Sequence, residues 1–413
     1  MLINIDFHIH SKYSGGTSKN MKLDVIAEQA QLKGLDIVGT GDALNPGWMH
    51  SIKNELKETS QGSGIYEGTG GKERTRFLIT AEVEDARRVH HLLIFPGIEA
   101  AESLYDRLKK YSRDIDKDGR PHLRLDAENL VDYVVDTGSM IGPCHAFTPW
   151  TSLYKEYNSI TECYGSNLDK IKFLELGLSA DTGMADRISE LKDLTFMTNS
   201  DTHSPWPHRL GREFNRVSVD CSFSDINFTE IKNSIINHKF NLNAGLNPRE
   251  GKYHLTACTR CFLRFRYNDA VRCRWRCPVC RGTIKKGVAD RVNELAQSEN
   301  PEHPPHRPPY IHILPLAEII SLECGIHTLN SKKVMQRWNE IISGLGNEIN
   351  ILIDADTRDI SKIDPKIGKI IEKFRTGRIR YIAGGGGEYG KPVLCGEAHD
   401  NYWGQGQKTL EDF

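Results

Sequence analysis

Between residues 1 and 245 the chain alternates short apolar runs with amphipathic segments, and this alternation constrains the fold more than any other feature. Ile3–Phe7, Asp36–Gly39, Phe77–Glu82, His91–Phe95, Met140–Gly142, Phe173–Leu176 and Thr195–Thr198 read as strands. A helix over Leu23–Leu32 closes at Lys33-Gly34, and helical segments fall near 101–111, 126–137, 184–192 and 228–237. Repeated βα units predict an α/β fold with a mostly parallel sheet, open or closed into a barrel.

The ends of these strands carry metal-competent side chains. The first strand runs into His8-Ile9-His10, and residues two apart in a strand point the same way, so both imidazoles can grip one metal. Asp42 follows the second strand, Glu82 ends FLITAE, His91 opens HLLIFP, His145 follows MIGPC, and Asp201 and His203 follow TFMTNS. In a βα barrel such strand-end residues converge in one mouth. His90 and His91 compete for one place; His91 is chosen because it directly leads the apolar run. Mixed imidazole and carboxylate ligands suit zinc, manganese or iron, and two adjacent cations suit hydrolysis of a phosphoester. Cys144, beside His145, reads as a small buried residue.

The character changes after residue 245. Cys258-x2-Cys261 and Cys277-x2-Cys280, 15 residues apart, have the spacing of a structural zinc ribbon. Arg260, Arg264, Arg274, Arg276, Lys285 and Lys286 surround it, interleaved with Phe262, Phe265, Tyr267 and Trp275. Cations that neutralise phosphates beside rings that stack on bases suit a nucleic acid. The chain as a whole has 54 Lys+Arg against 55 Asp+Glu, so this basic patch is local and a uniformly basic coat is excluded. Mean hydropathy is -0.48, and no apolar run reaches the roughly 18 residues of a membrane helix. The start, MLINIDFHIH, lacks a secretory pattern, so the ten cysteines are expected as thiols or metal ligands.

NPEHPPHRPPY, residues 300–310, marks a boundary and reads as either a stiff linker or a binding segment. Beyond it, Ser331 caps a helix carrying Val334, Trp338, Ile341 and Leu345; Ile349–Ile353 reads as a short strand. Asp364-Pro365 opens a helix with Ile367, Ile371 and Phe374 inward. The run Gly384–Gly387 is either a flexible loop or a close approach to DNA through Gly385 and Gly386; flanking Arg378, Arg380 and Lys391 favour DNA. At the end of the chain, Gln407, Leu410 and Phe413 have the spacing of a one-turn sliding-clamp peptide.

His8-Ile9-His10, the Asp42 segment, Glu82, His91, His145 and Asp201-Thr202-His203 resemble the motifs of the PHP (polymerase and histidinol phosphatase) phosphoesterases. The resemblance implies a distorted (β/α)7 barrel holding two metals or three. His8, His10, Glu82 and Asp201 would hold one, and Glu82, His91 and His145 a second, with Glu82 bridging. Glu82 and Asp201 are then the central catalytic ligands. Ala43 stands where many members have a histidine, so a third site would fall to His203 with Asp42. Barrel (1–245), zinc domain (246–299), C-terminal DNA-binding domain (300–400) and clamp-like tail (401–413) together resemble the endonuclease Q family. That resemblance implies a DNA repair endonuclease cutting 5′ to uracil, hypoxanthine, xanthine or an abasic site. It further implies one structural zinc, barrel metals drawn from Zn, Mn, Mg or Fe, and a PCNA-type clamp partner. An archaeal member acting on the nucleoid in the cytoplasm is expected. A PHP-type 3′–5′ exonuclease and a small-molecule phosphoesterase are the alternatives.

Overall fold

The computed structural model describes residues 1–70 and 74–394. Its largest sheet runs, in spatial order, Tyr310–His312, Phe240–Gly245, Phe214–Ser218, Leu2–Asp6, Ile37–Gly39, Arg76–Leu78, Ile65–Gly68 and Leu56–Glu58. Thr80–Glu84, His90–Ile94 and Met140–Pro143 form a second sheet, and Phe173–Glu175 pairs with Thr195–Met197. One apolar cluster takes Ile3, Ile5, Phe7, Ile37, Leu78, Leu92, Ile94, Met140, Phe173, Met197 and Val217 from these strands, which places the sheets around a common interior. The expected strand over 77–82 divides at Ile79 and hands the chain from one sheet to the next.

The sheet is not mostly parallel. Leu2–Asp6 pairs in parallel with Ile37–Gly39 but antiparallel with Phe214–Ser218, and Thr80–Glu84, His90–Ile94 and Met140–Pro143 pair antiparallel throughout. In the second sheet the cause is the length of one connection. Residues 85–89 are too few for a crossover helix, so the strand carrying Glu82 and the strand carrying His90 must form a hairpin.

The Pro-rich stretch is a docked strap. Arg307 is buried, lies 3.4 Å from the centroid of the Phe196 ring, and donates to Asp186 and to the carbonyl of Leu194 (2.7 Å). Asp186 also meets His303 at 2.6 Å. That residue lies where a helix over 184–192 was expected; the segment instead breaks into the turns Thr182–Ala185 and Ser189–Leu191. The strap ends in Tyr310–His312, which joins the barrel sheet in parallel beside Asn243–Gly245.

The C-terminal helices form as expected around Val334, Trp338, Ile341, Ile367, Ile371 and Phe374, all buried in a core continuous with the barrel's outer layer. Ser331 and Asp364 cap their helices, accepting from Val334 N and from the amides of Lys366 and Ile367. Ile349–Ile353 is not a strand. Asn350–Asp354 is a π-helical turn, and Arg375 donates to the carbonyls of Ile351, Leu352 and Ala355 that a strand would have offered a neighbour.

Candidate metal centre and nucleic-acid face

Three residues at the barrel mouth hold left-handed backbone without being glycine: Asp42 (φ 51), His145 (φ 29) and Asp201 (φ 44). Such backbone costs on the order of 1–3 kcal/mol per residue and gathers where a side chain must be aimed. His145 is further seated by Gly177, whose left-handed backbone (φ 69) brings it so close that an added Cβ would lie 2.5 Å from the His145 Cβ.

Glu82 is the centre of the arrangement. Its Oε1 lies 2.8 Å from His90 Nδ1, 3.1 Å from His145 Nε2 and 3.6 Å from His8 Nε2; its Oε2 lies 3.3 Å from His10 Nε2. Asp201 Oδ1 reaches His10 Nε2 at 3.3 Å and His8 Nε2 at 3.7 Å. His8, His10 and Glu82 form one group that could hold a metal, Glu82, His90 and His145 a second, and His10, Asp201 and His203 a third. His8 Nε2 and His10 Nε2 are buried without a hydrogen-bond partner. A buried ring nitrogen facing carboxylates with nothing to bond is costly unless a cation is there to accept its lone pair, so these residues fit divalent metals.

The electrostatics agree. Burial alone would push Glu82 up, but positive charge at His90 and His8, which a cation bound at the ring nitrogens would supply in place of a proton, together with the adjacent His10 and His145 rings, holds it well below the usual carboxylate range. Asp201 is likewise held down against its burial, by His10 and His8. Both carboxylates therefore stay ionised, as metal ligands must.

The opposite nitrogens are fixed from behind. His8 Nδ1 donates to Glu175 at 2.9 Å, and Glu175 also accepts from the amide of His145 and from Asn199. His10 Nδ1 meets Asp42 at 3.0 Å. This second partner sets the tautomer that leaves Nε2 free. Asp42 is thus spent differently from expectation. Its oxygens take His10, the Ser11 amide (2.6 Å) and the Ser14 hydroxyl (3.0 Å), and it stands behind a ligand rather than among them.

His91 is a correction. Neighbouring strand residues face opposite ways, and it is His90 that faces Glu82, while His91 points outward to the Tyr164 hydroxyl (2.9 Å) and Asp85 (3.2 Å). Two residues were missed. Glu175 ends the strand Phe173–Glu175, and the strand-end rule that picks out Glu82 finds it as well. Arg120 comes from a loop with no pattern; it donates to Glu82 at 3.2 Å and is about a third exposed at the mouth. Cys144 is buried, its thiol pushed far up by desolvation, which leaves it neutral and unreactive.

In the ribbon, Cys258, Cys261, Cys277 and Cys280 gather around one point, with Sγ–Sγ separations of 3.4 Å (Cys258–Cys280) and 3.6 Å (Cys261–Cys277). The Gly282 amide draws the Cys280 thiol down to about 7, towards the zinc-binding thiolate. The basic residues divide. Arg260 and Arg264 are tied to the carbonyls of Cys280 and Ala383, Arg276 donates to Thr283, and Lys286 pairs with Glu294. Lys285 lies over the Trp150 ring. Arg274 and Arg276 lie on the exposed surface. Tyr267 and Trp275 pack edge to face on each other, under Lys286.

Gly385 and Gly386 do not face a ligand. Both are buried against the ribbon, Gly385 bridges to Leu255, and a Cβ on Gly386 (φ 67) would lie 2.4 Å from the Cys258 carbonyl. Gly386 is glycine because the Cys258 knuckle passes directly over it and its backbone is left-handed. Gln407, Leu410 and Phe413 lie outside the described residues.

Fold and site define a metal-dependent phosphoesterase barrel carrying a zinc ribbon and a helical C-terminal unit. The comparisons narrow that class. The lesion-specific endonuclease PfuEndoQ from Pyrococcus furiosus is 45% identical, with TM-score 0.89 over 100% of this chain and 98% of that one. An endonuclease Q bound to a 27-mer duplex with an abasic lesion at its active site is 44% identical, with TM-score 0.88 over the full length of both. The chain belongs to the endonuclease Q family. YqxK, an uncharacterized protein of Bacillus subtilis, is 31% identical over 94% of this chain and 98% of its own. The uncharacterized protein MJ0043 of Methanocaldococcus jannaschii is 51% identical over 268 residues, 65% of this chain, which spans only 33% of that protein. Residues 315–378 match the MJ0043 C-terminal domain family. Among the described residues no helix is long and apolar enough to cross a membrane.

Proposed function

We propose that the protein is a lesion-specific DNA repair endonuclease that hydrolyses the phosphodiester 5′ to a deaminated base or an abasic site. The carrying observation is the convergence of the unpartnered His8 and His10 Nε2 atoms on Glu82 and Asp201, in a chain matched end to end by endonuclease Q structures. His8, His10, Glu82 and Asp201 would hold one divalent cation and Glu82, His90 and His145 a second, with His203 beside Asp201 for a third. Bound there, the cations supply Lewis-acid activation of water and neutralisation of the leaving oxygen.

The chain's own groups do the rest. Glu175 and Asp42 hold the His8 and His10 rings in the binding tautomer. Arg120, kept protonated against its burial by Glu82, presents a guanidinium at the mouth that can take a phosphate oxygen. Cys258, Cys261, Cys277 and Cys280 would hold a zinc that fixes the knuckles, and Arg274, Arg276 and their neighbours neutralise flanking phosphates. The terminal Gln407, Leu410 and Phe413 support a sliding-clamp contact; deleting 407–413 should abolish co-elution with the clamp, and unchanged co-elution would refute it.

The test is a covalently closed or end-labelled duplex carrying one deoxyuridine, with metal added or chelated. A single metal-dependent nick on the 5′ side of the lesion is expected. Trimming from ends, with closed circles left intact, would convert the reading to an exonuclease.

A further inference from the structure

The loop leaving the metal centre carries an exposed indole on a fixed mount. Trp150 is 53% exposed. Its backbone is tied to two residues of the centre. The Thr148 hydroxyl lies 2.7 Å from the Trp150 carbonyl and 3.3 Å from His145 Nδ1, and the Thr151 carbonyl accepts from the His90 amide at 3.3 Å. Thr151 holds left-handed backbone (φ 48), a conformation disfavoured for a β-branched residue, and Ser152 closes the loop on the Thr148 carbonyl at 2.5 Å. This constraint fixes the position of a ring that stays exposed, with the edge of Tyr253 (centroids 6.0 Å apart, 79° between planes) and Lys285 (Nζ 3.7 Å from the centroid) beside it. Beyond them Lys252 lies near both the Tyr253 and Tyr389 rings. The surface is therefore an aromatic ring flanked by cations, which is the composition that receives stacked bases and their phosphates.

We propose that Trp150 stacks on a nucleobase of the cleaved strand beside the cut, and so sets the register of the strand over the metal centre. This rests on the reading of the barrel as a DNA endonuclease centre. The ring's occupant is a base rather than an apolar protein segment because cations border it on the ribbon side and the loop that carries it begins at a metal-centre histidine. Lys285 contributes a phosphate contact from the same place.

The experiment uses the full-length, metal-loaded protein and a deoxyuridine duplex with 2-aminopurine beside the lesion. Wild type and Trp150→Phe should quench the 2-aminopurine on binding; Trp150→Ala should not. Trp150→Ala should nick roughly 5- to 100-fold more slowly under single turnover, with the slope of log affinity against log salt unchanged, since no charge is lost. Wild-type quenching and rate in Trp150→Ala would overturn the proposal. So would a loss that Lys285→Ala reproduces and that vanishes in the Lys285→Ala background, because the ring would then be only a perch for the lysine. If the wild type makes no nick at the lesion, the endonuclease reading fails by itself, and the 2-aminopurine signal still decides whether the ring stacks on DNA.

Discussion

At the residue scale the centre is built from alternation. Consecutive strand residues face opposite sides, so one of His90 and His91 could meet Glu82 and not both, and the apolar run that follows, which favoured His91, does not report which side faces the centre. The structure turns His90 inward, 2.8 Å from Glu82, and gives His91 to Tyr164 and Asp85. His90→Ala should therefore lower the bound-metal count and the nicking rate, by the 10-fold or more usual for a lost ligand. His91→Ala should retain metal and cost stability instead, about 1–3 kcal/mol for the donors and acceptors left unpaired. Metal analysis by mass spectrometry with a thermal melt distinguishes them; metal loss in His91→Ala and not in His90→Ala would reverse the assignment. The gathering of His8, His10, Glu82, His145 and Asp201 in one place was legible in the sequence because strand ends converge. Asp42 was legible as a site residue but not as a partner of His10, since its role depends on the turn that points it at Ser11 and Ser14. Arg120 was illegible, being a lone arginine in a loop that owes its place to tertiary folding.

At the scale of elements, strands and helices were readable from period, whereas pairing direction and the segment 349–353 were not. Four apolar residues in a stretch of five, broken only by Asn350, carry no period that separates a strand from a tight helical turn, and Arg375, 20 or more residues away, decided the matter. The same distance blindness hid the contact that docks the C-terminal helices on the barrel. Lys33, in the last turn of the helix Leu23–Lys33, is 1% exposed and donates to Glu348 and to the Pro207 carbonyl, each at 2.6 Å. Glu348 also accepts from the Trp338 indole (2.7 Å) and the Leu316 amide (3.0 Å), so one carboxylate joins three elements of the C-terminal unit to one helix of the barrel. Removing one partner of such a pair strands a buried charge. Lys33→Met should destabilise by about 3–5 kcal/mol, and adding Glu348→Gln should recover part of that. Urea unfolding of the two variants is the measurement; equal stability of Lys33→Met and wild type would show that the pair contributes nothing to docking.

At the scale of the whole molecule, barrel and strap meet around Glu213. It is fully buried, with one oxygen accepting the Leu246 amide at 2.9 Å and the other without a partner. Gly245 is pressed between it and the Tyr310 hydroxyl of the returning strap, which is also unpartnered. Burial pushes the Glu213 carboxyl from 4.5 up to about 8, and Glu250, on the segment leading to the ribbon, rises to about 8 for the same reason. A folded pKa above the unfolded one means that the fold favours the protonated form. Its contribution is full below about pH 4.5 and is lost as pH rises through about 8. The junction should accordingly weaken in alkali, while the metal-centre carboxylates, shifted the other way, weaken only in acid. Glu213→Gln keeps an acceptor for Leu246 and removes the titration. The wild type should lose stability between pH 5.5 and pH 8.5, and the Gln variant should lose less, by on the order of 3–5 kcal/mol at most, becoming the more stable of the two at the alkaline end. Melting curves of the metal-loaded proteins across that range test it, and parallel pH profiles would mean that Glu213 is ionised throughout and that its charge is balanced at the junction.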